Sequence, residues 1–402
     1  MMSSQIESTT HQPHDEYQTS GQIELQSNVR MGNRMVFVDH IRVVLTILVV
    51  IHHLALTYGA FGGAPGLWYT FELTKDVPSI LLLSVLVLID QSFFMGSFFL
   101  LSGYFTPGSY DRKGAGAFFR DRLLRLGIPL VIFTVLINPL TSYFGAWGSN
   151  IPEMQAAVKT LPYWVLMGPG PLWFVEALLI FASLYAVWRR AGRRQSTPTP
   201  GNSQPPAFSS IVLFTLALAV VTFLVRLWAP AGWWIQPLNF QLAYFPQYIS
   251  LFVVGLIAYR RNWFLTIPSW IGKVGLGAAI GATIVLLPLA LSSLADFPGG
   301  LHWQAFVYAL WEAIMAVGMS IGLLVLFRQR INRQGRVGKF LSGQAYAVYF
   351  IHAPVITGLA FALRDVHLYP LLKLVLAVLI GIPLCFGCGY LLRRLPFAHK
   401  IL

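Results

Sequence analysis

The run VDHIRVVLTILVVIHHLAL places Asp39, Arg42, His52 and His53 in a segment apolar enough to cross a bilayer. An ionisable group at the centre of a membrane helix costs about 2.5–3.5 kcal/mol on insertion scales, so each such residue needs a reason to be there. At 100° per residue, the step from Arg42 to His53 returns to within about 20° of the same face, about 16 Å along the axis. His52 is turned about 80° aside, where it is expected to pack against a neighbouring helix. That face carries a cation near one end and a titratable imidazole past its middle. It suits an arginine that holds an anion and a histidine that acts as general base. It equally suits an arginine that snorkels to the interface and a histidine satisfied by a neighbouring helix.

Further polar groups recur in apolar surroundings. The second run contains Asp90 and Gln91 and ends FFMGSFFLLSGYF (93–105), where Gly96, Ser97, Ser102 and Gly103 permit close helix approach. In RDRLLRLGIPL, Arg122 and Arg125 lie three apart on one helix face, as topology-fixing charge or as a clamp for phosphate oxygens. Glu176 stands in PLWFVEALLIF, Glu312 in WEAIMAV, and Tyr349 with His352 in YAVYFIHAPVI. Together they describe a helix-bundle interior lined with His, Arg, Glu, Asp and Tyr. Cys385 and Cys388 have CxxC spacing, but no second pair or His/Cys cluster completes a metal site, so they read as core cysteines and no metal is expected.

These groups are positioned by membrane helices. The chain has 402 residues with only 11% charged, too few to cover a soluble surface, which needs nearer 25%. Ten apolar runs near the 20 residues that span a bilayer fall at about 36–56, 79–104, 123–143, 171–188, 209–228, 240–259, 270–294, 302–327, 340–362 and 368–392. Backbone in lipid must satisfy its own hydrogen bonds, so these runs are helices, and the fold class is an all-α polytopic transmembrane bundle. Residues 1–34 read as a disordered polar tail with no signal-peptide pattern. Residues 35–395 form one transmembrane domain, and 396–402 a short C-terminal tail. Within that domain, 190–207 is a flexible Pro- and Ser-rich linker. The segment 142–170, with Trp147, Tyr163 and Trp164, can fold as a short interfacial helix or serve simply as an aromatic belt; the belt is the expected form.

A net charge of +13 invites a nucleic-acid partner, but the basic residues are placed differently. Of 28 Lys and Arg, 22 fall in the tails and loops on one side of the ten runs. Five (Lys75, Lys159, Arg226, Arg364 and Lys373) are assigned to the other side, and Arg42 lies within the first helix. This is the positive-inside pattern, which excludes a nucleic-acid function and puts both termini in the cytoplasm.

Several motifs fall in an order that resembles the membrane-bound acyltransferase 3 family, in its glucan biosynthesis protein C-like branch. They are D-x-x-R (Asp39, Arg42), R-x10-H (Arg42, His53), FFLLSGYF (98–105) and R-x-x-R (Arg122, Arg125). LWF (172–174), FVVGLIAYRR (252–261) and Y-x-x-H-x-P (Tyr349, His352, Pro354) follow. The resemblance covers roughly 35–395. It implies an O-acyltransferase of the plasma or inner membrane that moves an acyl group, acetyl or succinyl, from cytoplasmic acyl-CoA to a hydroxyl of a carbohydrate or other exported acceptor. Acyl-CoA would be a co-substrate, with no cofactor held permanently. His53 would be the general base, with Arg42 and Asp39 orienting the donor arm. Arg122, Arg125, Ser102, Tyr349 and His352 would bind acyl-CoA, and Glu176, Glu312 and Asp90 would serve the acceptor or the structure. The rival class is a secondary transporter or glycan flippase with an intramembrane charged site. Transporters typically show internal repeats, and the two halves here are not alike.

Overall fold

The computed structural model describes residues 35–61, 71–192 and 204–402. The expected tail 1–34, with Arg30 and Arg34, and most of the linker 190–207, with Arg193 and Arg194, lie outside the described residues. Ten helices carry the architecture: α1 Val36–Thr57, α2 Val77–Arg122, α3 Asn138–Gly148, α4 Trp173–Ala191, α5 Phe208–Arg226, α6 Phe245–Arg260, α7 Ser269–Ala290, α8 Trp303–Arg330, α9 Arg336–Ala362 and α10 Pro370–Arg394. Among the described residues there is no strand, only an isolated bridge between Ile235 and Phe240. The fold is an all-α helix bundle. Both cysteines are free in α10, Cys385 fully buried.

Nine continuous helical stretches among the described residues are long and apolar enough to cross a bilayer. One of them, Val77–Gly148, has 72 residues, far more than the roughly 20 that a single crossing uses. It breaks at Gly114, which takes φ 74° and ψ 167°, a region open to glycine because it lacks Cβ. Tyr110 and Phe118, eight residues apart, meet edge-to-face at 5.5 Å across the break, and Lys113 pairs with Asp121 at 2.8 Å. The chain therefore folds back there, and this stretch makes two crossings, ten in all. The polar segment between the second and third runs is thus helical on both sides of one glycine rather than a loop.

The second crossing of that stretch contains two five-residue π-helical turns, Leu123–Gly127 and Phe133–Ile137. Each is followed within two residues by a proline, Pro129 and Pro139, which cannot donate to the carbonyl four residues back. Those carbonyls belong to Arg125 and Val135, and each accepts a tyrosine hydroxyl instead, from Tyr346 at 2.7 Å and from Tyr163. An unpaired backbone group in lipid costs several kcal/mol, so these two tyrosines make the prolines tolerable.

Two motifs prove to be partners. Gly103 of FFLLSGYF and Gly255 of FVVGLIAYRR face each other where α2 crosses α6. A Cβ on Gly103 would lie 2.2 Å from the Phe252 carbonyl oxygen, and one on Gly255 2.3 Å from that of Leu100. Only glycine lets the backbones approach so closely. In the segment after α3 a helix does form, Pro152–Val158, contrary to the simple belt. The aromatics lie outside it: Trp147 stacks on Phe361 at 5.6 Å, while Tyr163 and Trp164 are exposed.

The ends of the helices segregate by charge. Arg122, Arg189, Arg260, Arg328, Arg336 and Arg393 fall at ends of α2, α4, α6, α8, α9 and α10. Contacts such as Arg189–Asp111 at 2.7 Å and Arg260 over Trp188 at 5.6 Å draw several of them together. At the opposite end Lys373 pairs with Glu72 at 2.5 Å, and Leu73 N–H donates to the Asn150 side chain at 3.1 Å. Two of the five cations assigned there from sequence are not in loops. Arg226 is fully buried in the last turn of α5, and Lys373 is buried in the first turn of α10.

Candidate active site

Helix α1 runs through the bundle and presents His52 and His53 to a cavity of about 470 Å³. His53 Nδ1 lies 2.8 Å from the Val49 carbonyl oxygen. A carbonyl only accepts, so Nδ1 carries the hydrogen, and in a neutral ring Nε2 is then the lone-pair nitrogen. His352 on α9 is fixed in the same way, its Nδ1 2.7 Å from the Tyr349 carbonyl oxygen, and its ring lies 4.9 Å from that of His53. The two histidines that the sequence set on separate helices are therefore one pair. His52 stacks on Phe94 at 5.1 Å, as a packing residue would, yet it also borders the cavity. The expected 80° offset does not remove it from the site.

The rest of the cavity wall is largely aliphatic, with Leu56, Leu88 and Leu294 among its side chains, and it carries aromatic and carboxamide groups as well. Trp173 opens α4, and its indole is 5.3 Å from the Tyr248 ring of α6. Gln91 donates to the Tyr248 hydroxyl at 2.9 Å, and Tyr349 donates to the Pro171 carbonyl. Tyr244, Tyr308, Trp234 and Phe297 complete the aromatic lining, and Asn138, Gln236, Asn239 and Gln241 add amides. Among the described residues the lining holds no Asp, Glu, Lys or Arg. Several of these residues were missed from sequence because they come from 231–239 and 297–298, outside the apolar runs. The interleaved amides and aromatics of GWWIQPLNFQLAYF were a signal available there.

Arg42 stands on the same helix face as His53, about 16 Å toward the basic end. Its guanidinium lies 4.7 Å from the Phe105 ring and 3.7 Å from Asp39. Ser102 is half-buried on the same helix as Phe105, one turn away. Arg122 lies over Phe118 at 5.0 Å, close enough to Arg42 and Arg125 to interact with both electrostatically. The D-x-x-R and R-x-x-R motifs thus meet at one end of the bundle. The π-turn starting at Leu123 separates the arginines of the second motif. Arg122 is half-buried, whereas Arg125 is largely exposed and shares Asp121, at 3.2 Å, with Lys113. The two arginines that regular helical spacing puts on one face thus differ in burial.

The three acidic candidates lie off the cavity lining. Glu176 sits one turn into α4 on the face of Trp173, half-buried. Asp90 is buried beside cavity-lining Gln91. Glu312 is buried behind the wall and pairs through Oε2 with Arg226.

The match to known proteins follows this geometry. A family model described as an acyltransferase domain, acyltransferase 3, matches residues 35–394. The chain belongs to the acyltransferase 3 family. It is a multi-pass membrane acyltransferase that transfers groups other than aminoacyl groups, between an acyl donor and an acceptor. Glucans biosynthesis protein C of Salmonella schwarzengrund is 25% identical over 344 residues, 80% of this chain and 82% of that protein. The proteins of the same name from Salmonella typhi and Salmonella typhimurium match to the same extent. No solved structure matches.

Proposed function

We propose that this acyltransferase moves an acyl group, acetyl or succinyl, from cytoplasmic acyl-CoA to a hydroxyl of a carbohydrate, with the cavity as the acceptor site and His53 as general base. The observation that carries this reading is a single one. His53 borders a cavity in which aromatic and amide groups stand among aliphatic side chains, while Arg42 lies about 16 Å along the same helix, toward the basic end where Arg122 and Arg125 also gather. Aromatic faces and two-way amide hydrogen bonds suit a neutral sugar, and the few placed polar groups of such a pocket fix its orientation. The name of the relatives points the same way, toward glucans.

The positive-inside pattern makes the basic end cytoplasmic, in the plasma or inner membrane, with both termini on that side. Arg122, with Arg42 and Arg125, would hold the CoA phosphates, Asp39 balancing their charge. The pantetheine arm would pass Ser102 and lie along the α1 face toward His53. The acceptor hydroxyl oxygen attacks the thioester carbonyl carbon as His53 Nε2 takes its proton. The C–S bond then breaks, and the imidazolium returns the proton to the CoA sulfur, giving an ester and free CoA. His352 keeps the His53 ring in place, and Tyr349 holds the turn before Trp173 through Pro171.

The protein purified in nanodiscs is supplied with radiolabelled acetyl-CoA or succinyl-CoA and a neutral glucan oligosaccharide. Label on the oligosaccharide with matching CoA release is the expected result. Intact thioester and no labelled product, together with uptake of the oligosaccharide into proteoliposomes, would favour a transporter and overturn the proposal.

A further inference from the structure

Behind the cavity wall lies a buried charge pair that the chemistry above does not use. Arg226, in the last turn of α5, is 0% exposed and donates through Nη2 to Glu312 of α8, which is 2% exposed. An arginine at the end of a membrane helix ordinarily snorkels outward; this one turns inward. Its guanidinium lies 5.1 Å from the Tyr244 ring and 4.7 Å from the Tyr308 ring, and both tyrosines line the cavity. Arg226 Nε and Nη1 have no protein hydrogen-bond partner among the described residues. The charge is shared between one carboxylate and two aromatic faces.

The contacts continue from the tyrosines around the wall. Tyr308 packs edge-on against Phe297 at 5.1 Å, and Tyr244 stacks with Tyr248, which holds Gln91. The backbone of Arg226 also ties the rim. Its carbonyl accepts from Gly300 N–H at 3.0 Å, and Ala231 N–H donates to the Pro298 carbonyl at 2.8 Å, with Ala231 and Pro298 both on the cavity edge. A staple between α5 and α8 alone would not need its cation stacked on two substrate-facing rings.

We propose that Arg226 and Glu312 are a positioning pair for the acceptor: they fix Tyr244 and Tyr308 as a rigid wall, and so set acceptor affinity without touching the reacting atoms. This rests on the cavity being the acceptor site. A planar guanidinium stacks on aromatic faces while offering a rigid donor fork to a carboxylate, a geometry that a lysine ammonium does not reproduce.

The full chain in nanodiscs is tested as wild type, Arg226→Lys, Tyr308→Leu and the double variant Arg226→Met with Glu312→Met. The double variant leaves no buried charge unpaired and so separates positioning from misfolding. With acetyl-CoA and a neutral glucan oligosaccharide as probes, the double variant and Tyr308→Leu should raise the oligosaccharide KM about tenfold. The acetyl-CoA KM should stay within about twofold, and Arg226→Lys should fall between. An unchanged oligosaccharide KM in the folded double variant, or an equal rise in both KM values, overturns the proposal. Hydrogen exchange supplies a readout that needs no acceptor: residues 229–244 and 297–308 should exchange faster in the double variant, with α1 unchanged. If the wild type does not acylate the oligosaccharide, the substrate reading fails while exchange still judges the pair; unchanged exchange at the rim rejects it.

Discussion

Replacing Gly103 by alanine should cripple transfer from a position far from the cavity. The added Cβ would meet the Phe252 carbonyl oxygen at 2.2 Å, against about 3.3 Å for the closest ordinary C···O contact. The nearest atom is backbone, so no side chain can swing away, and α2 and α6 must separate by about 1.1 Å. The same two helices carry Gln91 and Tyr248, joined at 2.9 Å. A rigid shift of that size stretches the bond to about 4 Å, beyond hydrogen-bond range. Misplacement by about 1 Å can cost ~10²-fold in rate, and overpacking about 1–3 kcal/mol in stability. Gly103→Ala should therefore lower kcat/KM about 10²-fold with the protein still folded. Gly255→Ala should behave alike, and the double variant should lose less than the two losses combined, since both relieve one contact. Activity within about twofold of wild type in Gly103→Ala would refute the coupling of this crossing to the cavity wall.

Arg122→Gln should raise the acetyl-CoA KM by more than Arg125→Gln, because Arg125 is largely exposed and shares Asp121 with Lys113; equal effects, or lost expression with KM unchanged, would return both residues to topology or packing. Tyr346→Phe and Tyr163→Phe each leave a proline-orphaned carbonyl unpaired and should each cost about 0.6–1.7 kcal/mol, the range of membrane hydrogen bonds, by thermal unfolding in detergent. Reporter fusions after residues 113, 195 and 334 should read as cytoplasmic and those after 65, 150 and 298 as external; a cytoplasmic signal at 150 or 298 would break the ten-crossing topology.

The helical frame was legible because lipid leaves one solution for an apolar run, and each of the ten runs became a helix. The helical register of α1 was legible too, since a continuous 22-residue helix keeps Arg42 and His53 on one face. What a single helix cannot reveal is its neighbour. The His53–His352 pair depends on α9 packing beside α1, and the meeting of Arg42 with Arg122 on α2 folding back at Gly114. The unequal burial of Arg122 and Arg125 was not legible, because regular spacing does not show the π-turn that starts at Leu123. The pairing of Arg226 was not legible because its carboxylate partner lies 86 residues on and comes beside it only in the fold. The cavity wall was the least legible, because part of its lining comes from loops whose contacts follow no period.

The proposed role of His53 as general base is tested most directly by comparing His53→Ala with His52→Ala at matched expression, by acyl transfer from acetyl-CoA. Both rings border the cavity, but only His53 has its Nδ1 held by a backbone carbonyl and its ring against His352. His53→Ala should lose about 10²–10⁴-fold in kcat, the range for removing a positioned general base, with the acetyl-CoA KM unchanged. His52→Ala should keep most of its activity. Equal losses in the two variants, or full activity in His53→Ala, would contradict the account.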